Sequence, residues 1–356
     1  SMHKSQKFVI QSPKSLAGLT NIVEDLSMKL SDTPKRLLVI DSLNMFFRAY
    51  IVDPSVSING EPIGGMKGYL KILQKLLRET KPDKVVICWD GPGGSQKRKQ
   101  MVKGYKAGRK PLRLNRNIDL LDGEKQLQNQ IYQQTRLLEY INQTPVIQLM
   151  LEGVEADDVI SFVVNDPRHD GWQKVIVSSD KDFYQLCDDE TIVYRPIQKE
   201  VLNKNNVIEK FDIHPTNFAL ARAIAGDKSD NLKGVDRVGL PTVAKRLPFL
   251  KEEKTYTIND VYEYCKKQES SVKAYDNIVE QIDVVDTNYQ MMQLYTPSIS
   301  VQGRNKIRWT LDEFEYSFNK TQFLKMTVED GFGPGDWTSL FSSLKNISVK
   351  NKTETE

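Results

Sequence analysis

Acidic residues crowd two short segments of the sequence, residues 153–160 and residues 178–182. The first segment leads into an apolar run, which places its acids where a buried strand ends and a helix begins. The second segment closes the apolar run 174–178, which is typical of a buried strand. Because acids at the carboxyl ends of neighbouring strands in an α/β sheet point into one crevice, we expect the two groups to meet. Their members are Glu155, Asp157, Asp158, Asp180 and Asp182.

Such a cluster is unfavourable unless protons or cations neutralise it. Two carboxylates about 4 Å apart repel each other by roughly 4 kcal/mol at an effective dielectric constant near 20. Divalent cations are the expected solution. A ligand set made of oxygen alone, with no nearby histidine or cysteine, favours Mg²⁺ or Mn²⁺ over Zn²⁺.

Two more acids follow apolar runs earlier in the chain. Asp41 ends the run 36–41, and Asp90 follows the run 84–89. One such acid is weak evidence, because aspartate often ends a strand or caps a helix. Two of them, together with the cluster, make coincidence improbable.

The apolar runs alternate with segments of helical periodicity. Strands that alternate with helices imply a mostly parallel sheet with right-handed crossovers, so the predicted fold class is α/β. Helices are predicted at 65–79 and 118–142, and the chain is mostly helical after residue 216. The predicted strands are 36–41, 84–90, 145–150, 174–178 and 191–195.

A strongly basic segment lies between Asp90 and the acidic cluster. Residues 95–117 contain nine lysines or arginines and no acid, although the net charge of the 356-residue chain is only +3. The ends of this insertion are anchored beside the predicted crevice, so we expect it to arch over the site. A basic run is commonly just a solvated face, but the absence of acids and the residues Tyr105, Lys106, Arg109 and Lys110 favour contact with phosphate.

A second candidate for phosphate contact is the turn between Gly234 and Gly239. Pro241 suits the start of a new helix, and a glycine-rich turn before a helix offers backbone N–H groups to a phosphate. Such a hairpin grips a DNA backbone with little sequence preference. A plain surface turn is an equal alternative.

The remaining sequence sets limits on the class of protein. The three cysteines are far apart and lack metal-ligand spacing, which predicts unpaired thiols in a reducing compartment. With no apolar run long enough to cross a bilayer and no secretory signal, we expect a cytoplasmic protein that does not bind membranes. Residues 1–34 are polar, with a possible short helix at 22–30, and are expected to be a loosely docked tail or a partner-binding peptide. Residues 348–356 are expected to be frayed.

The motifs, taken in order, resemble those of the 5′-nucleases, the superfamily of flap endonucleases and 5′–3′ exonucleases that includes the phage-type ribonuclease H enzymes. The resemblance covers roughly residues 35–250. It rests on Asp41 after a strand, Trp89-Asp90-Gly91, Tyr105-Lys106-x-x-Arg109, Glu155-Ala156-Asp157-Asp158, Ser179-Asp180-Lys181-Asp182 and Gly226-Asp227-Lys228-Ser229-Asp230-Asn231.

The resemblance implies a PIN-like, Rossmann-like nuclease domain. The expected organisation is a polar extension (1–34), the nuclease domain (35–200) with a helical arch at about 91–143, a helical domain (201–330) with a helix-hairpin-helix at about 216–248, and a C-terminal tail (331–356).

The resemblance also implies two Mg²⁺ ions, for which Mn²⁺ can substitute. One ion is expected on Asp41, Asp90, Glu155 and Asp157. Asp158, Asp180, Asp182, Asp227 and Asp230 are expected to hold or orient the other, some of them through water.

For the nucleic acid, the resemblance assigns catalytic steering of the scissile phosphate to Lys106 and Arg109, and it places Tyr105 where it could stack on a base. The other expected nucleic-acid contacts are Lys110, Arg48, Gly234, Arg237, Gly239, Thr242, Lys245 and Arg246. Two positions depart from the family hairpin, which has glycine where this chain has Arg237 and lysine where it has Pro241. The monovalent cation bound by relatives is therefore in doubt.

The leading hypothesis is a Mg²⁺-dependent 5′-nuclease that acts on 5′ flaps, nicked or gapped duplex DNA and RNA–DNA hybrids, as in primer removal during replication and in repair. Two alternatives stay open: a catalytically silent scaffold that binds branched DNA, and a PIN-like nuclease of single-stranded RNA. A sliding clamp or a single-strand DNA-binding protein is a possible partner, and we expect a monomer in a bacterial or phage-infected cell.

Overall fold

The computed structural model describes residues 34–106 and 121–352. A six-stranded sheet lies at its centre. The strands are β1 Arg36–Asp41, β2 Lys84–Trp89, β3 Ile147–Met150, β4 Gln173–Val177, β5 Thr191–Arg195 and β6 Glu200–Leu202. Their spatial order is β3, β2, β1, β4, β5, β6, and all neighbours run parallel except β5 and β6. The predicted mostly parallel α/β sheet is confirmed.

Apolar residues cover both faces of this sheet. Every residue of β1 and of β2 is buried. Because side chains alternate across a strand, Leu37 and Val39 enter one hydrophobic core while Leu38 and Ile40 enter the other. Burial on both faces explains why these strands appear in the sequence as continuous apolar runs.

Helices pack against the sheet and make up most of the chain after β6. Their bounds are Ser42–Val52, Gly64–Thr80, Gln96–Met101, Gly123–Asn142, Ala156–Asn165, Lys204–Phe211, Phe218–Ala225, Leu240–Arg246, Ile258–Lys266, Lys273–Glu280, Ile282–Met292, Val301–Glu313, Lys320–Glu329 and Thr338–Lys352. A two-stranded hairpin, β7 Gly226–Asp227 and β8 Leu232–Lys233, follows the helix Phe218–Ala225.

The helix Gly123–Asn142 differs from its predicted packing. Helical periodicity predicts Leu127 and Ile131 on its apolar, buried face, but they are 57% and 55% exposed. The core contacts come from the last turns, where Leu137 and Ile141 are fully buried. Only the C-terminal half of this helix lies against the core, so helical periodicity alone overestimated the buried length.

The C-terminal segment is not the tail that we expected. Its helix Thr338–Lys352 packs against the helix Gly64–Thr80 and buries Leu340 and Leu344 completely. The Leu340 N–H donates to Gln74 Oε1 at 3.1 Å, and Asn351 Nδ2 donates to the Asp83 carbonyl at 2.8 Å. The prediction of fraying from residue 348 is therefore wrong as far as Lys352. It failed because the partner surface of this helix lies more than 250 residues earlier in the sequence.

The other predicted domain boundaries can be compared with the structure only where residues are described. The strand β6 crosses the predicted boundary at residue 200, since it spans Glu200–Leu202. The short helix predicted at 22–30 lies outside the described residues. In the part of the chain that is described, no helix combines the length and apolarity required to cross a bilayer. The three cysteines are buried and unpaired.

We expect the Leu344→Ala variant to lose about 2–5 kcal/mol of unfolding free energy, because the substitution opens a cavity under the C-terminal helix. Urea unfolding followed by circular dichroism measures the loss. The matched control is Val349→Ala on the same helix, since Val349 is 52% exposed. Equal effects of the two substitutions would contradict the packing of this helix on the core.

Candidate active site

The carboxyl ends of β1, β2 and β4 open into one crevice. Asp41 ends β1, Asp90 directly follows β2, and Asp180 lies three residues after the end of β4. The crevice is a cavity of about 770 Å³. The acids that line it are Asp41, Asp90, Asp157, Asp180, Asp227 and Asp230. The predicted meeting of the strand-end acids is therefore confirmed.

Five aspartates form two groups of three. The first carboxylate group is Asp157, Asp180 and Asp182, and the second is Asp182, Asp227 and Asp230. Within each group, one oxygen per residue lies within 4.8 Å of the others, so each group could hold a metal ion. The two groups share Asp182. Asp157 thus lies with Asp180 and Asp182, whereas we had expected it to share an ion with Asp41, Asp90 and Glu155.

Local backbone contacts orient these acids. Asp180 Oδ1 accepts the Asp182 N–H at 2.9 Å at the start of the 3₁₀ helix Lys181–Leu186. Asp227 Oδ1 accepts the N–H and the hydroxyl of Ser229, at 2.9 and 2.6 Å. These short-range turns fix one oxygen of each carboxylate and set the direction of the other.

Asp41 and Asp90 are held by longer-range bonds. Asp41 Oδ2 accepts the Ser178 hydroxyl at 2.8 Å, and Asp90 Oδ1 accepts the Ala156 N–H at 2.6 Å. Gly91 allows the second contact, because a Cβ at this position would lie 1.6 Å from the Leu151 carbonyl oxygen. The glycine of the Trp-Asp-Gly motif thus lets the chain after β2 approach the acidic cluster.

Burial and mutual repulsion shift the acidity of the cluster. Burial, with the nearby charges of Asp90 and Asp180, raises the pKa of Asp41 to about 7. The pKa values of Asp157 and Asp182 are raised well above the usual range by burial and by Asp180. Asp227 differs: burial acts to raise its pKa, but Arg222 and Ser229 outweigh burial and lower it. The cluster therefore stabilises bound positive charge, whether protons or metal ions.

Glu155 tests whether these residues fit a metal ion. Its Oε2 faces Lys106 Nζ at 3.2 Å and Arg98 Nη1 at 3.3 Å. Its Oε1 is buried and has no hydrogen-bond partner among the described residues. A buried carboxylate oxygen without a partner is costly, and a metal ion, bound directly or through water, would satisfy it. The donor set of carboxylate oxygens suits a hard divalent cation.

Asp158 forms an ion pair with Arg98 and belongs to neither carboxylate group. Its two oxygens accept bonds from Arg98 at 2.9 and 3.2 Å, and one of them also accepts the Ser298 N–H at 3.3 Å. Consecutive residues of a helix point about 100° apart, so Asp157 faces the cavity while Asp158 faces Arg98. Because the two aspartates are adjacent in the Glu-Ala-Asp-Asp motif, the sequence did not reveal that their side chains point in different directions.

Two buried arginines were missed by the sequence argument. Arg98 belongs to the basic segment but is 9% exposed, and Arg222 is 7% exposed within the apolar helix Phe218–Ala225. Arg222 Nη2 lies 2.5 Å from Asp227 Oδ2 and 3.4 Å from Asp182 Oδ1. A single arginine inside an apolar helix, about one turn before Gly226-Asp227, was a usable signal.

Lys106, which is expected to steer the scissile phosphate, lies beside the cavity acids. It lines the cavity, and its backbone N–H donates to the Asp230 carbonyl at 2.9 Å. Burial acts to lower the pKa of Lys106, but Asp157 and Glu155 outweigh burial and raise it. The ammonium group is therefore a permanent positive charge beside the acids. Arg109 and Lys110 lie outside the described residues.

Tyr105 contradicts its expected role. Its side chain is only 5% exposed and belongs to the hydrophobic core, so its ring cannot stack on a base in this conformation. Tyr105 is buried, although Lys103, two residues earlier, is exposed.

The start of the predicted arch is attached to the helical region. Arg98 Nε donates to the Met291 carbonyl at 3.0 Å, which joins the helices Gln96–Met101 and Ile282–Met292. The helix Gln96–Met101 therefore packs on the helical region, whereas Lys106, a few residues later, lines the cavity. The middle of the expected arch, residues 107–120, lies outside the described residues.

The hairpin after β8 has the expected form. A Cβ on Gly234 would lie 2.3 Å from the Ala225 carbonyl carbon, so the two backbone segments can approach this closely only with glycine at position 234. Arg237 adopts the left-handed conformation, with φ of 60°, that the family glycine would favour. Pro241 lies in the first turn of the helix Leu240–Arg246. The turn is therefore formed even though Arg237 and Pro241 differ from the family residues. Arg237 adopts a backbone conformation that is unusual for arginine.

The other expected nucleic-acid residues lie on accessible surface. Arg48 is half-buried and lines the cavity. In the hairpin, Lys245 is exposed and Gly239 caps the helix Leu240–Arg246. Thr242 and Arg246 are half-buried on the same helix. Contact of these residues with DNA stays a prediction.

The raised pKa of Asp41 gives the metal-free protein a pH dependence. The folded protein keeps a proton on Asp41 between about pH 4 and pH 7 that the unfolded chain releases, so stability falls as the pH rises through this window. We expect the Tm in EDTA to fall by at least about 2 °C between pH 5 and pH 8. Mg²⁺ should raise the Tm more at pH 8, where protons no longer compete with it.

Asp41→Asn should flatten the fall in Tm, while Asp170→Asn, at an exposed position, should leave it unchanged. Differential scanning calorimetry makes the comparison. A Tm in EDTA that rises steadily with pH in this window would show that the cluster does not strain the folded state.

Comparisons with known proteins agree with this geometry. The family described as 5′-3′ exonuclease, N-terminal resolvase-like domain, matches residues 36–212. A 5′-3′ exonuclease of Aquifex aeolicus is 26% identical over 296 residues, which cover 79% of this chain and 92% of the relative. DNA polymerase I of Caldicellulosiruptor bescii is 29% identical over 245 residues, which cover 67% of this chain. The matched part spans only 26% of that polymerase.

Solved structures support the same fold. The T5 5′-exonuclease with bound divalent metal ions (zinc) has a TM-score of 0.58 at 16% identity, and the match covers 83% of this chain and 98% of that one. Human GEN1 in complex with Holliday junction DNA has a TM-score of 0.56 at 11% identity, with 97% and 76% covered. These identities establish likeness of fold only. The sequence comparisons show that the chain is related to the 5′-3′ exonucleases and is a nuclease, and the solved structures add the likeness of fold.

Proposed function

We propose that this protein is a Mg²⁺-dependent, structure-specific 5′-nuclease. Its substrates would be 5′ flaps, nicked or gapped duplex DNA and RNA–DNA hybrids, and its role primer removal during replication and repair. The observation that carries the proposal is the pair of carboxylate groups that share Asp182, whose other members line one cavity together with Lys106. Cleavage of a phosphodiester requires positive charge close to its oxygens. Cations bound by the carboxylate groups, together with Lys106, would supply this charge.

The two carboxylate groups would hold two divalent ions. When bound, such ions supply an activated water at neutral pH and neutralise the departing oxygen. Asp182, which belongs to both groups, would keep the two ions at a fixed separation. The first group is surrounded by Asp41, Asp90 and Glu155. These three acids would orient the ion of the first group, directly or through water. Carboxylate oxygens favour Mg²⁺, and Mn²⁺ can replace it.

Lys106 would hold the scissile phosphate. Its ammonium group stays charged and lines the cavity, and among the described residues it forms one ion pair, with Glu155 at 3.2 Å. A phosphate that enters the cavity can therefore accept a charge-assisted hydrogen bond from it. Arg109 and Lys110 would add phosphate contacts from the same segment, by resemblance to the family.

The hairpin would hold the duplex part of the substrate. Exposed Lys245 and Arg237 and the half-buried Arg246 place three positive charges on or beside the helix Leu240–Arg246. Because such contacts go to the backbone, they carry little sequence preference, which suits an enzyme that recognises structure. A sliding clamp or a single-strand DNA-binding protein as partner, a monomeric state and a cytoplasmic location are part of the same proposal.

The central experiment measures cleavage of a labelled 5′-flap DNA by the Asp180→Asn variant. We expect a loss of at least about 100-fold in Mg²⁺, with flap affinity within about threefold of wild type, because the substitution removes a ligand of the metal rather than a contact to DNA. Glu152→Gln, which removes an exposed carboxylate nearby, should cleave normally. If wild type binds the flap tightly but gives no Mg²⁺-dependent product, the scaffold alternative is favoured.

We expect Lys106→Ala to slow single-turnover cleavage by about 10²–10³-fold, because it removes charge stabilisation of the scissile phosphate. The flap Kd should change far less. Lys103→Ala, an exposed lysine of the same segment, is the matched control. If Lys106→Ala behaves like the control, or changes only affinity, Lys106 is an ordinary phosphate contact.

We expect the double substitution of Lys245 and Arg246 to glutamine to weaken duplex binding and to lower the salt dependence of log Kd by up to about two. Fluorescence anisotropy across a series of salt concentrations measures both. Glutamine at the exposed Lys325 and Lys345, on C-terminal helices, should leave the slope unchanged. An unchanged slope in the hairpin variant would place duplex binding elsewhere.

A further inference from the structure

Arg222 is the one charged residue of the apolar helix Phe218–Ala225. Its side chain is 8% exposed, and Nη2 contacts Asp227 Oδ2 at 2.5 Å and Asp182 Oδ1 at 3.4 Å. Its Nε is buried and has no hydrogen-bond partner within the described ranges. The carboxylates of the cavity therefore provide the main compensation for this buried charge.

Asp182 and Asp227 are two of the three members of the second carboxylate group. Arg222 thus occupies the surroundings of the oxygens that a cation would use. The first carboxylate group differs, because in the described part of the chain neither Asp157 nor Asp180 forms an ion pair. Lys106 contacts Glu155, beside the first group, but not a member of it.

A cation bound by the second group would meet the positive charge of the guanidinium at close range. Like charges lower affinity, and salt screens buried charges much less than exposed ones. Among the described residues, Arg222 reaches the first group only through the shared Asp182, at 3.4 Å, whereas in the second group it contacts both Asp182 and Asp227. The two groups should therefore bind the same cation with different affinities.

We propose that Arg222 is a built-in counter-ion of the second carboxylate group and makes the two cation sites unequal, so that the first group fills before the second. The inference rests on the proposed function, because it takes both groups to bind divalent cations. The guanidinium neutralises the second group before a cation arrives. A substrate phosphate in the cavity offers the guanidinium another partner, so DNA binding favours filling of the second group.

The test is a Mn²⁺ titration of the full chain without DNA, with free Mn²⁺ measured by electron paramagnetic resonance. We expect wild type to show one tight and one weak site that differ at least about tenfold in Kd. Arg222→Met removes the charge and keeps an apolar chain, and it should tighten the weak site at least about tenfold while the tight site changes less than about threefold. Arg222→Lys keeps the charge and should retain the weak site.

Lys228→Met is the matched control, because Lys228 is exposed and lines the same cavity. It should change neither affinity by more than about threefold. Arg222→Gln carries the same expectation as Arg222→Met if the latter does not fold. Equal affinities in wild type, or a weak site unchanged by loss of the guanidinium, would overturn the role of Arg222 alone. No Mn²⁺ binding at either group would instead contradict the proposed function.

Discussion

Repulsion among carboxylates that share one crevice is the constraint on which the rest of this structure depends. A parallel sheet brings the carboxyl ends of its strands to one edge, and here β1, β2 and β4 each deliver an aspartate to it. The helix Ala156–Asn165 adds Asp157, and the strand β7 adds Asp227. Such an arrangement raises the free energy of the folded protein unless counter-charges or cations are close, so the nearby basic residues and hydrogen-bond donors are needed to keep the site folded.

The counter-charges come from distant parts of the chain. Arg98 joins Asp158, Glu155 and the Met291 carbonyl, a span of 193 residues. Lys106 and Arg222 lie on different elements and contact different carboxylates. These contacts tie the sheet to the helical region that follows it. The cavity consequently lies between the sheet and the helical region. This is where a nuclease must align its reacting phosphate with the duplex that the hairpin would hold.

The sequence was sufficient to predict the strands and the convergence of their acidic ends, because apolar runs that end in aspartate carry this information locally. It failed for Asp158 and Tyr105, which are adjacent to residues that face the cavity but point into the interior. Side-chain direction within a short motif depends on the neighbouring elements, which sequence spacing does not reveal. The prediction of a frayed C-terminal tail failed for a similar reason, because the surface that stabilises the C-terminal helix belongs to the helix Gly64–Thr80. The assignment of individual acids to individual ions stays a prediction.

The most direct test of this account is a crystal structure with saturating Mn²⁺, in which anomalous scattering locates the ions. The account predicts one ion bound by Asp157, Asp180 and Asp182 and a second bound by Asp182, Asp227 and Asp230, with Asp158 still paired to Arg98. It would be contradicted by the absence of ions at both groups, or by an ion coordinated by Asp158.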